Sequence, residues 1–221
     1  MTTNKKVGVI ISVYNGENYL AAAIESVLNQ TYQSHNLIII NDGSNDKSFE
    51  VLKKYEKYIL LIEQNNSGQA VSFNKGLKLD SSEYVSFLDA DDIWPSYKLQ
   101  KEVEFLNSNK QIEIITGLTA NFKGLELKQQ IFHPIKGFML SASLIRKKVF
   151  QKIGGFTEET GTNHILDFYS RCQLNNIKTC YYNEIALFRR VHTANMTLIR
   201  KDEIYKGYIN ALQRHIAKLK K

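Results

Sequence analysis

The sequence predicts an α/β fold in which a mostly parallel central sheet is flanked by helices. Short apolar, β-branched runs alternate with amphipathic segments from Val7 to Leu88. Continuous apolar strands that alternate with helices are typical of a parallel sheet covered on both faces. Polar turns at residues 14–18, 41–46 and 89–92 each follow one of these strands. Because the carboxyl ends of parallel strands share one edge of the sheet, we expect these turns to meet there and form a single site.

The first half of the chain predicts strands and helices in regular alternation. The apolar runs place strands at 7–13, 37–40, 59–62 and 84–88. Helical periodicity, shown by Leu20, Ile24 and Val27 on one face of the first helix, places helices from Leu20 to about Gln30, at 47–57 and from 68 to 79. The connections between parallel strands should be right-handed.

The second half is less regular. It predicts helices at 94–107, 147–152 and 166–174, and strands at 112–117, 141–145, 179–182 and 185–191. Residues 118–137 lack a clear period and are predicted to be a variable loop. The pattern predicts one domain over residues 1–200, followed by a basic amphipathic helix at 201–221.

The segment that carries most information is the carboxylate cluster after the fourth strand. Asp89, Asp91 and Asp92 directly follow an apolar run at 84–88. Carboxylates at a strand end can gather around a hard divalent cation, which usually completes its shell with water and substrate phosphates. The alternative is a polar turn that caps the helix starting near Pro95. We therefore expect either a metal–diphosphate site or a structural turn here.

Composition bounds the class of protein. The chain has 221 residues, a net charge of +7 and two cysteines without metal-binding spacing, Cys172 and Cys180. It has no apolar run long enough to span a bilayer and no separate signal region, so we expect a cytosolic protein. Nothing resembles a nucleic-acid-binding motif. The basic residues at 200–221 suit contact with anionic lipid or a solvated face equally well.

Several short segments occur in an order that points to a known family. They are ISVYN at 11–15, SVLNQT at 26–31, IINDGSND at 39–46, NSG at 66–68 with NKG at 74–76, FLDADD at 87–92, IGGF at 153–156 and RRVHTAN at 189–195. Together they resemble the family 2 glycosyltransferases with the GT-A fold. The resemblance implies transfer of a sugar from a nucleoside-diphosphate sugar, with inversion at the anomeric carbon and a divalent metal, Mn²⁺ or Mg²⁺.

The resemblance also implies roles for the donor-binding residues. Asp42 would accept a hydrogen bond from the nucleobase, Tyr14 would lie against the base, and Ser12 would line the same pocket. Gly68 would let the backbone approach the ligand closely. The structural alternatives are that Asp42 closes a turn or caps the next helix, and that Tyr14 belongs to the core.

A second group of residues would hold the metal and the diphosphate. By resemblance, Asp91 is a metal ligand, Asp89 contacts the ribose or the metal, and His192 completes the metal shell. Arg189 and Arg190 would neutralise phosphate charge, with surface positions or an internal ion pair as the alternative. Residues 1–95 would therefore bind the donor and residues 96–200 would shape the acceptor side.

The base of the reaction is where the sequence departs from the family pattern. The usual Glu-Asp pair falls on His164 and Ile165, and isoleucine cannot accept a proton. Asp167 is the nearest carboxylate and is the predicted base, with Glu158 or Glu159 as alternatives. Asp167 could instead form a plain i,i+4 helix pair with an arginine four residues on.

Another departure is Phe73, which stands where similar proteins often have an arginine. Together with the missing base, it keeps a catalytically weak nucleotide-sugar-binding or scaffold protein open as the alternative. A sugar nucleotidyltransferase is less favoured because residues 14–18 form an acidic loop rather than a glycine-rich basic one. A dehydrogenase is disfavoured by the absence of a GxGxxG motif. The acceptor could be a glycan, a lipid-linked molecule or a protein, and contact with a membrane is expected only through 201–221.

Overall fold

A computed structural model describes residues 7–127 and 130–193, without the side chains at 130–131 and 160–162. The predicted basic helix at 201–221 lies outside the described residues. The strands are β1 Val7–Val13, β2 His35–Asp42, β3 Leu60–Gln64, β4 Tyr84–Asp89, β5 Ile114–Lys123, β6 Gln130–Ile131, β7 Ser143–Arg146 and β8 Thr179–Arg190. The helices are α1 Leu20–Leu28, α2 Ser48–Lys53, α3 Gln69–Leu79, α4 Lys98–Ser108, α5 Lys148–Ile153 and α6 His164–Leu174. Short 3₁₀ turns lie at Leu140–Ala142 and Glu158–Asn163.

The strands form one sheet in the order β3-β2-β1-β4-β7-β5-β6, with β8 also paired to β5. The four strands of the first half run parallel, as does the β5–β8 pair. Strand β7 is antiparallel to both β4 and β5, and it therefore joins the two halves of the sheet. The prediction of an α/β fold with a mostly parallel sheet is confirmed.

Alternation along the strands gives the sheet two buried faces. In β1, Val9 and Ile11 belong to one apolar cluster and Ile10 to the other, because successive side chains of a strand point to opposite faces. Helix α1 covers the first face, whereas α3 and α6 cover the second. This two-sided burial is the reason that the parallel strands are continuously apolar in sequence.

Several boundaries differ from the predictions, and the largest differences are at α4, α2 and β5. Helix α4 begins at Lys98 rather than at 94, since Trp94 is buried and donates its indole N–H to the carbonyl of Ser141 at 2.7 Å. Helix α2 ends at Lys53, four residues early. The predicted loop at 118–137 was wrong in its first part, because β5 continues to Lys123 through its pairing with β8.

The segments predicted at 179–182 and 185–191 form one strand, β8. Strand β8 continues through the point at which its register with β5 shifts. Within the described residues, no helix is long and apolar enough to cross a membrane.

Candidate functional site

The three polar turns meet at the carboxyl edge of the sheet, as the sequence predicts. The backbone N–H of Asn15 donates to Ser44 Oγ at 3.0 Å, and that of Glu17 donates to Asp46 Oδ2 at 3.0 Å. These bonds tie the turn after β1 to the turn after β2. The third turn follows the neighbouring strand β4, in which Asp89 pairs with Ser12 of β1.

Asp89 is held on both oxygens by side chains from distant parts of the chain. Gln69, the first residue of α3, donates Nε2 to Oδ1 at 2.7 Å, and Ser141 donates its hydroxyl to Oδ2 at 3.0 Å. Burial raises the pKa of the Asp89 carboxyl, and the nearby charge of Asp91 raises it further. Sequence reasoning missed both partners, since no local pattern links positions 69 and 141 to position 89.

Asp91 and His192 form the contact that best matches the predicted metal site. Asp91 Oδ2 lies 2.9 Å from His192 Nε2, although the two residues are 101 positions apart. The His192 ring rests on Tyr19 with centroids 4.8 Å apart. The side chains are 29% and 18% exposed, for Asp91 and His192 respectively, so the pair is reachable from solvent.

The predicted ligand set is only partly brought together. Among residues 7–127 and 130–193, no three His, Cys, Asp or Glu side chains are placed to hold a metal ion together. Both oxygens of Asp89 are engaged by Gln69 and Ser141. Mg²⁺ is commonly held by one or two carboxylates together with waters and substrate phosphates, and carboxylates suit Mn²⁺ as well. The Asp91–His192 pair therefore fits a divalent ion that takes its remaining ligands from a diphosphate.

Asp92 fastens the third turn to the end of β8. Its Oδ1 accepts the backbone N–H of Arg190 at 2.8 Å. Burial raises the pKa of Asp92 well above its usual value, and the charges of Asp91 and Asp89 add to the effect. The nearby charge of Arg189 acts in the opposite direction on the pKa of both Asp89 and Asp92. Half-buried Arg189 is therefore a cation placed beside the carboxylates.

Arg190 has a different position from the one expected. Its side chain is 1% exposed. Nε donates to the Asp91 carbonyl at 2.8 Å, and Nη1 donates to the carbonyls of Gly124 and Leu125. The guanidinium also lies over the Tyr19 ring at 4.7 Å. This corrects the expectation of a diphosphate contact, because a buried group bonded to backbone carbonyls supports the turn from behind.

Asp42 holds the loop before α3, which neither structural alternative predicted, and its contact with a nucleobase stays a prediction. Its Oδ1 accepts the N–H of Ser67 at 2.9 Å and the amide of Gln64 at 2.8 Å, and its Oδ2 accepts the N–H of Gly68 at 2.9 Å. With these three bonds and 2% exposure, the carboxylate positions the loop before α3. Gly68 has φ +92° and open space where a Cβ would be, so this loop presents bare backbone.

Tyr14 lies at the rim of the same edge. It is 52% exposed, so the alternative that it belongs to the core is wrong. Ser12 is half-buried at the end of β1, next to Asp89 in the strand register. Both residues are placed where a base or ribose bound at this edge could reach them.

Asp167 lies in the first turn of α6. Its Oδ2 accepts from Arg171 Nε at 2.8 Å and from the hydroxyl of Thr157 at 2.7 Å. Ile165 packs against the core. Phe73 is fully buried, with its ring centroid 4.8 Å from that of Phe87. At positions 73 and 165 the sequence thus has apolar side chains because they face the core.

These features define an α/β fold in which three polar turns meet at the carboxyl edge of the sheet. A family model, Glycosyl transferase family 2, matches residues 8–191. The chain belongs to this family and is a transferase.

The relatives and solved structures agree with the assignment. The chain is 29% identical to an uncharacterised glycosyltransferase of Rickettsia typhi, over 96% of this chain and 74% of that protein. It is 20% identical to TarS of S. aureus in complex with UDP, with a TM-score of 0.71 over 93% of this chain and 71% of that one. The mannosyltransferase PcManGT of Pyrobaculum calidifontis, in complex with GDP-Man and Mn²⁺, matches with a TM-score of 0.74 at 15% identity, over 99% of this chain and 65% of that one. These likenesses confirm the GT-A fold.

Proposed function

We propose that this enzyme transfers a sugar from a nucleoside-diphosphate sugar to an acceptor hydroxyl, with inversion and with the help of a divalent metal. The observation that carries the proposal is the Asp91–His192 contact of 2.9 Å at the edge where the three turns meet. The ligands named for the solved structures, UDP and a GDP-sugar with Mn²⁺, belong to the same chemical class.

The donor half would bind the nucleotide through its turns. Tyr14 would stack on the base, Ser12 would line the pocket, and Gly68 would offer backbone that no side chain covers. Asp42 would act by holding the Gly68 loop in place. Asp89, fixed by Gln69 and Ser141, would accept hydrogen bonds from the ribose.

The negative charge of the diphosphate would be stabilised at the third turn, residues 89–92. Asp91 and His192 would hold the metal, which supplies Lewis-acid stabilisation of the leaving diphosphate. Arg189 would add a positive charge at the same edge. Fixed charges of this kind stabilise the negative charge that develops on a leaving group.

Transfer also requires a group that accepts the acceptor's proton. Asp167 was the carboxylate predicted for this role, and Glu158 was an alternative. In the structure Asp167 pairs with Arg171 and Thr157, whereas Glu158 is exposed. The two candidate bases therefore differ in their surroundings, and experiment must decide between them.

A nucleotide-sugar-binding protein without transfer activity is the second candidate. It is favoured by the packing of Ile165 against the core and by the ion pair of Asp167 with Arg171. It predicts donor binding without release of the sugar, whereas the transferase predicts slow hydrolysis of the donor in the absence of an acceptor. The acceptor, a cytosolic location and membrane contact through residues 201–221 remain predictions.

Thermal denaturation with UDP, GDP or TDP, each with and without Mn²⁺, tests the donor site. A ligand that binds only the folded state raises Tm according to its concentration relative to Kd. We expect a Mn²⁺-dependent rise with one nucleotide that is lost in Asp91→Ala. Glu104→Ala, which removes an exposed carboxylate on α4, is the matched control and should keep the rise. Absence of any rise at millimolar nucleotide would refute the proposal.

A further inference from the structure

Asn74 fastens the loop after α5 to helix α3. Its Nδ2 donates to the Phe156 carbonyl at 2.8 Å, and its Oδ1 accepts the Phe156 N–H at 2.8 Å. The same Nδ2 lies 2.9 Å from Glu158 Oε1. A Cβ on Gly155 would collide with the Asn74 side chain, so the close approach requires glycine. One amide thus fixes both the backbone of this loop and the carboxylate that follows it.

This clamp is built on α3, the helix whose first residue contacts Asp89 at the carboxyl edge of the sheet. On α3, Gln69 contacts Asp89, and Asn74 follows five residues later, about 7.5 Å along the helix axis. The Phe156 ring packs against Phe87 with centroids 5.2 Å apart, and Phe87 is two residues before Asp89 in β4. Glu158 is therefore held beside α3, two residues after a phenylalanine that packs against the strand ending in the carboxylate cluster.

Asp167 and its partner arginine contact the loop after α5 from helix α6. The arginine that pairs with it, Arg171, also donates Nη1 to the carbonyl of Ile153 at 2.7 Å and Nη2 to that of Gly155 at 2.6 Å. The Asp167 carboxylate additionally accepts the hydroxyl of Thr157. The bonds of Asp167 to Thr157 and Arg171 fasten α6 to residues 153–157. Glu158 is exposed, and its contact to Asn74 is with a neutral amide.

We infer that Glu158 is the catalytic base on the acceptor side and that Asn74 is its positioning residue. This rests on the proposed transferase function. The acceptor O–H gives its proton to the Glu158 carboxylate as the oxygen forms a bond to the anomeric carbon. The bond from that carbon to the diphosphate oxygen breaks, and the nucleoside diphosphate leaves with the bonding electron pair. The proton then passes from Glu158 to solvent.

Donor hydrolysis tests the assignment without knowledge of the acceptor, because water can act as the nucleophile. UDP-GlcNAc and GDP-mannose with Mn²⁺ are the probes, and release of UDP or GDP is the readout. We expect Glu158→Gln to lower kcat by about 10²–10⁴-fold, the usual contribution of a general base. Its Tm and the rise in Tm with UDP or GDP should stay as in the wild type, because Glu158 is exposed. Glu104→Gln, an exposed carboxylate on α4, is the matched control.

Two further measurements separate a catalytic role from a structural one. Added formate should restore part of the activity of Glu158→Ala, since a small carboxylate can occupy the space of the missing one. A pH profile of the rate is the second readout, and the profiles of the wild type and of Glu158→Gln should differ in shape. Asn74→Ala should lower kcat by a smaller factor, at an unchanged donor KM.

Several outcomes would overturn the inference. One is a wild-type rate in Glu158→Gln. Another is loss of activity in Asp167→Asn or Glu159→Gln that formate restores in the matching alanine variant. A wild-type protein that binds UDP or GDP but releases none from the sugar donors would also overturn it, while leaving donor binding in place. A protein that binds no nucleotide would instead refute the proposed function itself.

Discussion

Replacing Lys98 with methionine should destabilise the fold by about 3–5 kcal/mol, the usual cost of leaving one charge of a buried pair without its partner. Lys98 and Glu102 lie one turn apart on α4, and both side chains are 0% exposed. Lys98 Nζ is 2.7 Å from Glu102 Oε2 and lies 4.1 Å from the centroid of the Trp94 ring. Tyr182 donates its hydroxyl to Glu102 Oε1 at 2.9 Å. Without the ammonium group, the carboxylate stays in an apolar interior.

The loss should be visible in thermal or urea unfolding. For a domain of this size, about 1 kcal/mol corresponds to roughly 2–4 °C in Tm, so Lys98→Met should lower Tm by about 6–20 °C. The double variant Lys98→Met/Glu102→Leu should recover most of this loss, because apolar replacement of both members of a buried pair is often neutral.

Lys101→Met is the matched control on the same helix. Lys101 pairs with Glu184, and both side chains are nearly half exposed, so its removal should cost less than about 1 kcal/mol. The reasoning is refuted if Lys98→Met lowers the free energy of unfolding no more than Lys101→Met does. It is also refuted if the losses caused by Lys98→Met and Glu102→Leu simply add in the double variant.

The remaining predictions concern pH, the carboxyl edge of the sheet and the loop after α5. Burial raises the pKa of the Glu102 carboxyl from 4.5 to about 7, so the folded state binds a proton that the unfolded chain releases, and stability should fall as pH rises between these values. Urea unfolding at about pH 5 and about pH 8 should show a smaller loss in Glu102→Gln. Ser141→Ala, which frees one oxygen of Asp89, should weaken UDP or GDP binding about tenfold in calorimetry. Gly155→Ala should lower Tm because its methyl group meets Asn74.

The first half of the fold could be predicted because its structure has local causes. Buried parallel strands are apolar at every position, and β1, β2 and β4 lie at the predicted places. Strand β5 could not be delimited in the same way. Its residues Thr116 and Thr119 are buried where β5 pairs with β7 and β8, and the pairing with β8 joins segments more than 60 residues apart.

In the site, too, features with local causes could be predicted and long-range contacts could not. Strand ends predict where Asp89 and Asp91 lie, since topology alone brings them to one edge. The partners of Asp89 could not be predicted, because Gln69 and Ser141 reach it from a helix and from a 3₁₀ turn. The sequence left the position of Arg190 open, because an arginine two residues before a histidine has the same pattern whether it faces a ligand or the core.

Different bonds hold the loop before α3 and the loop after α5. The loop before α3 is fixed to β2 through Asp42 and to β4 through the Gln69–Asp89 bond. The loop after α5 is fixed instead by Asn74 and Arg171. Because the exposed Glu158 carboxylate takes no part in the bonds that hold the Gly68 loop, we expect Glu158→Gln to leave nucleotide binding unchanged, so that binding and the proposed sugar transfer can be measured separately in one protein.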